Sequence, residues 1–178
     1  MASYKKYYLI SVSSLVPITV STYNESVVAT SFTEWLPSGS IISIAVPGTY
    51  TFSNGTRLVY LGSNESITVD SPMSLVINQF TRQYLVSVAS QYPISVNGTE
   101  TTQFIAWASP GTTITIAPTT IFINGVFMSE PGYSITVNGP VSLTVQWGIN
   151  WLLTAALYVA IALVVIAAAI TARRWWTW

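Results

Sequence analysis

Six carboxylates could support acid–base chemistry in this 178-residue sequence: Glu25, Glu34, Glu65, Asp70, Glu100 and Glu130. A glycosidase needs two carboxyl groups roughly 5–10 Å apart. Glu25 and Glu100 fall in matching loops of an internal duplication, so symmetry alone could place them there. A single Asp excludes an aspartic-protease dyad within one chain. With no His and no Cys, Ser-His-Asp and Cys-His catalysis are excluded. So are the usual zinc, haem, iron–sulfur and blue-copper ligand sets, a disulfide and an imidazole switch. The basic residues are Lys5, Lys6, Arg57, Arg82, Arg173 and Arg174, too few and too scattered for a nucleic-acid patch. No catalytic, cofactor-binding or metal-binding residue is expected, and no enzyme activity.

A second chemistry is modification. Asn24-Glu25-Ser26, Asn54-Gly55-Thr56, Asn64-Glu65-Ser66 and Asn97-Gly98-Thr99 are N-glycosylation sequons, all in expected loops. They make Asn24, Asn54, Asn64 and Asn97 candidate carriers of N-glycans. Glycans would help to solubilise a surface that is short of charge, since charged residues are only 7% of the chain while Ser and Thr number 22 each.

The elements that position these residues read as β-strands. Residues 1–147 show short alternating β-branched runs broken by Gly, Pro, Asn and Ser. Strands are expected near 7–13, 17–21, 27–33, 41–46, 49–53, 57–61, 66–70 and 73–80. Asn-Gly at 54–55, 97–98, 124–125 and 138–139 predicts tight turns.

Two halves of this region are alike. Tyr8–Val20, YLISVSSLVPITV, matches Tyr84–Val96, YLVSVASQYPISV, 76 residues on. Leu36–Ala45 matches Ala108–Ala117 at an offset of 72, and Ile67–Ile77 matches Ile135–Val145 at 68. The order is kept while the offset shrinks by loop-sized steps, which is the mark of a tandem duplication. Trp35 and Trp107 hold equivalent positions and are expected to be core anchors.

From Trp151 to Ala172 the chain reads WLLTAALYVAIALVVIAAAITA, 22 residues without charge, Gly or Pro. As a helix this covers about 33 Å, against a hydrocarbon core of about 30 Å. Trp147 and Trp151 stand at its start, and Trp175, Trp176 and Trp178 at its end, where interfacial aromatics belong. Arg173 and Arg174 follow at once and predict an interior C-terminus with the β region outside.

Lys5 and Lys6 before an apolar stretch resemble a signal peptide. The duplication argues otherwise, because the equivalent stretch lies in mid-chain. Tyr8–Val20 is therefore expected to be the opening strand pair of the first repeat, in a tail-anchored protein.

The expected fold class is all-β: two tandem antiparallel β-sandwich-like repeats followed by one C-terminal transmembrane α-helix. The boundaries are 1–80 for the first repeat, 81–147 for the second, 148–172 for the membrane helix and 173–178 for a short interior tail.

The sequence pattern resembles a known group. A Tyr-Leu-x-Val strand is followed by Trp, by a Pro/Ser-Gly-Ser/Thr turn with an I-x-I-x-A strand, and by I-T-V-x-x-P-x-x-L. This is similar to tandem β repeats in surface proteins of thermoacidophilic archaea (Sulfolobales-like) or of their viruses. Arg82-Gln83-Tyr84-Leu85 opens the second copy and Val145-Gln146-Trp147 closes it, as in such repeats. The resemblance covers residues 7–147 and implies an exterior, non-catalytic structural or interaction role.

Between residues 7 and 147 two Arg face six acids, a net charge of −4. Low charge, abundant hydroxyls and no Cys suit an acidic, hot exterior. The expected function is a membrane-anchored exterior structural or interaction protein: a virion component (minor capsid, penton or spike) or a cell-surface component. The expected partners are the lipid membrane, through residues 151–172, and other subunits of a surface or virion assembly. The tail-anchored topology favours a virion. The alternatives are an accessory exterior subunit of an archaeal membrane enzyme complex, and a carbohydrate-active enzyme or adhesin using Glu25 and Glu100.

Overall fold

The computed structural model describes residues 4–175. The chain is all-β with one C-terminal helix. Contacts divide it into two units. The first runs to Leu85 and takes in Trp107–Pro110 and Asn138–Pro140; the second holds Val86–Ala106, Gly111–Val137 and the chain from Val141.

The first unit is organised around β1 (Tyr7–Ser21). Two separate strands were expected here, but the structure has one continuous strand. Its pairing with β2 (Ser26–Pro37) shifts register between Ser13 and Ile18, around Pro17. Proline has no N–H for a ladder, and a bulge is where a strand tolerates it. The segment that resembles a signal peptide is thus the central strand of the unit. It supplies the buried side chains Ile10, Val12, Val16, Ile18 and Val20.

Beyond β1 and β2 come β3 (Ile41–Ala45), β4 (Thr49–Thr51), β5 (Thr56–Tyr60), β6 (Glu65–Thr68) and β7 (Met73–Ile77). β3 pairs antiparallel with the end of β1 and with β6. β7 closes the set by pairing with β1 in parallel, Ile10 opposite Met73 and Ser14 opposite Ile77. Antiparallel repeats were expected, and within that arrangement β7 is a parallel exception. The chain returns from β6 to β1 and lays β7 beside its first half, while β3 pairs with its second half.

The second copy of the duplication repeats this wiring with β8 (Phe80–Val96), β9 (Thr99–Ala108), β10 (Thr113–Ala117), β11 (Thr119–Ile123), β12 (Val126–Glu130), β13 (Tyr133–Thr136) and β14 (Val141–Thr144). In three of its pairings the register is reproduced. Val20 opposite Ile44 becomes Val96 opposite Ile116. Ile42 opposite Ile67 becomes Ile114 opposite Ile135. Ile10 opposite Met73 becomes Val86 opposite Val141, again parallel. The turn bonds are copied as well. Gly39 N donates to Val69 O at 2.9 Å and Val69 N to Ser40 O at 2.8 Å; Gly111 N donates to Val137 O and Val137 N to Thr112 O, both at 2.8 Å.

The cores follow the same equivalence. Ile10, Val12, Ile18, Val20, Ile42, Ile44, Val69 and Ile77 are buried in the first unit. Their counterparts Val86, Val88, Ile94, Val96, Ile114, Ile116, Val137 and Val145 are buried in the second. At about 1.5–3 kcal/mol for each fully buried aliphatic side chain, these eight positions dominate what holds either unit together. The hydroxyl-rich faces pair too. Ser43 and Ser66 approach oxygen to oxygen at 3.0 Å, and their equivalents Thr115 and Ser134 at 3.4 Å. Cross-strand hydroxyl pairs stabilise a sheet without charge.

The duplication also includes the exit from each repeat. After β7, residues Phe80–Tyr84 pair antiparallel with β5 before the chain runs on as the rest of β8. After β14 the two-residue strand β15 (Gly148–Ile149) makes the same pairing on β12, and the chain then enters α1 (Trp151–Trp175). The helix therefore begins where a further repeat would have begun its long strand.

Candidate functional site

Two of the six carboxylates, Glu34 and Glu130, are drawn into the fold, and the other four are exposed. Glu130 is 1% exposed. Its Oε1 accepts a 2.7 Å bond from Gly132 N, closing the turn after β12, while its Oε2 is buried without a partner. In the first unit Tyr60 stands at the equivalent place and closes the same turn by donating from its hydroxyl to Ser63 O at 3.2 Å. Burial raises the phenol pKa of Tyr133 above its ordinary value, and the nearby Glu130 carboxylate raises it further. Glu34 lies between the buried Phe32 and Leu36 on the same face of β2, and its Oε2 is buried without a partner. Glu25, Glu65, Asp70 and Glu100 are exposed. Among the described residues no three metal-ligating side chains gather.

Two expectations about tryptophan are corrected. Trp35 is 63% exposed, so it is not a core anchor. Side chains alternate along a strand, and its neighbour Leu36 takes the inward face. Trp107 is half-buried beside the buried Ala108, the equivalent of Leu36. Within the first unit the Arg57 guanidinium lies 4.6 Å from the Trp107 ring centroid, while Arg57 Nε donates to Gln83 Oε1 at 2.7 Å. Trp147 was expected among the interfacial aromatics, but it packs on the second β unit. Its Nε1 donates to Ser90 Oγ at 2.9 Å, and its ring meets Tyr92 edge-on at 5.3 Å.

All four sequon asparagines are exposed. Asn24 lies in the turn before β2. The Asn54 side-chain oxygen accepts from Thr56 N at 3.0 Å. Asn64 and Asn97 accept from Val46 N and Thr115 N at 2.9 and 2.8 Å. In each of these three, the amide nitrogen that would carry a glycan is not the bonded atom.

The anchor candidate is α1. Its segment Trp151–Thr171 is long and apolar enough to cross a membrane and is almost entirely uncovered. The expected interior tail begins at Arg173, yet the helix backbone continues through Ala172, Arg173 and Arg174 to Trp175. Trp176 and Trp178 lie outside the described residues.

The start of the helix is fastened to the β11–β12 hairpin by three bonds. Asn150 N donates to Phe127 O at 2.7 Å. Thr154, 5% exposed, accepts from Phe127 N at 3.0 Å. The Tyr158 hydroxyl donates to Gly125 O at 2.9 Å. Asn150 also caps the helix, its side-chain oxygen accepting from Leu153 N at 3.1 Å. This joint is not legible in the sequence, because β15 has only two residues and Thr154 reads as one polar residue in an apolar run.

These features define an all-β protein with a duplicated unit and a single C-terminal helix able to span a bilayer. The chain matches no family model, no curated protein and no solved structure.

Proposed function

We propose that the chain is a membrane-anchored exterior structural or interaction protein: a component of a virion, as minor capsid, penton or spike, or of the cell surface of a thermoacidophilic archaeon. One observation carries this reading. A bare apolar helix of bilayer length follows a duplicated β fold in which the buried carboxylate Glu130 closes a turn. The helix anchors the chain in lipid, Arg173 and Arg174 hold the C-terminus inside, and the β region stands outside, carrying N-glycans at its sequons and meeting neighbouring subunits. Low charge and abundant aromatics suit ordered packing between neighbours.

Mass spectrometry of the native membrane or particle, joined to protease protection in sealed vesicles, tests this. The reading expects protection of the C-terminal segment only, glycan mass on sequon peptides, and structural proteins as co-purifying partners. Co-purification with a cofactor-bearing enzyme complex would replace it with the accessory-subunit alternative. Digestion of the whole chain with release from the membrane would refute it.

A further inference from the structure

We infer that the β11–β12 hairpin is a second membrane contact, a wedge whose tip enters the lipid interface beside the helix. The inference rests on the anchor reading above and adds to it a lipid-facing part of the β fold.

Length forces the first step. The hairpin is bonded to Thr154 and Tyr158. If the membrane began beyond Tyr158, only the apolar residues 159–172 would remain, about 21 Å of helix against a core of about 30 Å. A full span must reach back to about Leu153. Thr154 and Tyr158 then lie within the bilayer boundary, and the hairpin tip fastened to them is carried to the same depth. Tyr158 lies about 10 Å along the helix from Trp151, which is the depth at which interfacial apolar segments reside.

Polar satisfaction supports the second step. Backbone groups that leave water need internal partners. On the helix side of β12, Phe127 N, Phe127 O and Gly125 O are bonded by Thr154, Asn150 and Tyr158 respectively. The turn itself, Asn124 at φ 49° and Gly125 at φ 82°, is the tight two-residue form.

Composition supplies an internal control. The equivalent hairpin of the first unit reads Thr51-Phe52-Ser53-Asn54-Gly55-Thr56-Arg57; this one reads Ile121-Phe122-Ile123-Asn124-Gly125-Val126-Phe127. The Phe-x-Asn-Gly frame is kept, while two Thr, a Ser and an Arg are replaced by Ile, Val, Ile and Phe. Phe122 is 54% exposed and packs against Phe127 with its ring tilted, the centroids 4.9 Å apart. An apolar tip is poorly suited to water, and this change falls on the hairpin that touches the helix.

The absence of native Cys allows single-site labelling of the full chain in phosphatidylcholine vesicles. An environment-sensitive fluorophore is placed at Phe122→Cys, with Val126→Cys as a second reporter on the tip. Ser53→Cys reports the sister hairpin and Val164→Cys the middle of the helix. The expected result is blue-shifted emission quenched by brominated acyl chains at both tip positions and at Val164→Cys, with Ser53→Cys emitting as in water. Water-like emission at both tip positions with Val164→Cys in lipid would overturn the wedge and leave the anchor standing. Water-like emission at Val164→Cys would overturn both.

Discussion

Replacing Thr154 by Val removes one hydroxyl from the helix and hardly changes its shape. Thr154 Oγ1 is the partner given to Phe127 N, at 3.0 Å. The side chain is buried, so water has no ready access to take its place. Leaving a buried donor unsatisfied costs about 1–3 kcal/mol, equal to roughly a 5- to 150-fold change in a local opening equilibrium. Amide hydrogen exchange of the full chain in detergent reads this at the Phe127 N–H. Thr154→Val should speed exchange there by that factor, and Thr154→Ser should restore most of the protection. Thr171→Val is the matched control, because that hydroxyl bonds only carbonyls of its own helix, Ala167 O and Ala168 O; it should leave Phe127 unchanged. Equal exchange in the Thr154→Val and parent chains would refute the claim that the helix is fastened to the hairpin.

Other predictions follow from the duplication and the turns. Ile44→Ala and Ile116→Ala, at equivalent buried positions, should each cost about 2–5 kcal/mol in chemical denaturation; a large cost at one and none at the other would deny their equivalence. Gly132→Ala should destabilise strongly, because φ is 75° and an added Cβ would meet Pro118 N at 2.6 Å; thermal unfolding measures it, and an unchanged midpoint would count against the turn geometry. Glu130→Gln removes the charge that adds to the burial effect on Tyr133, so the Tyr133 pKa should fall while staying above the ordinary 10.0. In the parent chain the neutral Tyr133 phenol favours the folded state, and this contribution should fade as pH rises from 10.0 through the raised value; ultraviolet titration follows it. Asn64→Ala should cost about 1 kcal/mol because it strips the partner from Val46 N, whereas Asn24→Ala should be neutral; denaturation midpoints separate them.

Much of the fold was legible because the chain states it twice. Offsets of 76, 72 and 68 between matched segments reappear as identical registers in the two units. The helix was legible from its unbroken apolar length. Other features were hidden for physical reasons. Pro17 looked like a strand break because proline disrupts a ladder, but a local register shift accommodates it. The parallel closure by β7 and β14 is a property of long-range wiring, which alternation within a strand does not encode. Trp35 looked like core by its size and recurrence, while the period of two that decides its face put Leu36 inside instead. Nothing local in the sequence marked Glu130 for burial, since only the turn brings Gly132 N to it.

The shared exit from each repeat makes the molecule a chain with an interchangeable end. On β5 the Phe80–Tyr84 segment leads into another β unit; on β12 Gly148–Ile149 leads into the helix. A gene that gained further copies between these points would need no new kind of junction. The helix takes the place of the next copy's long strand, so the same junction serves both to continue the β fold and to end it.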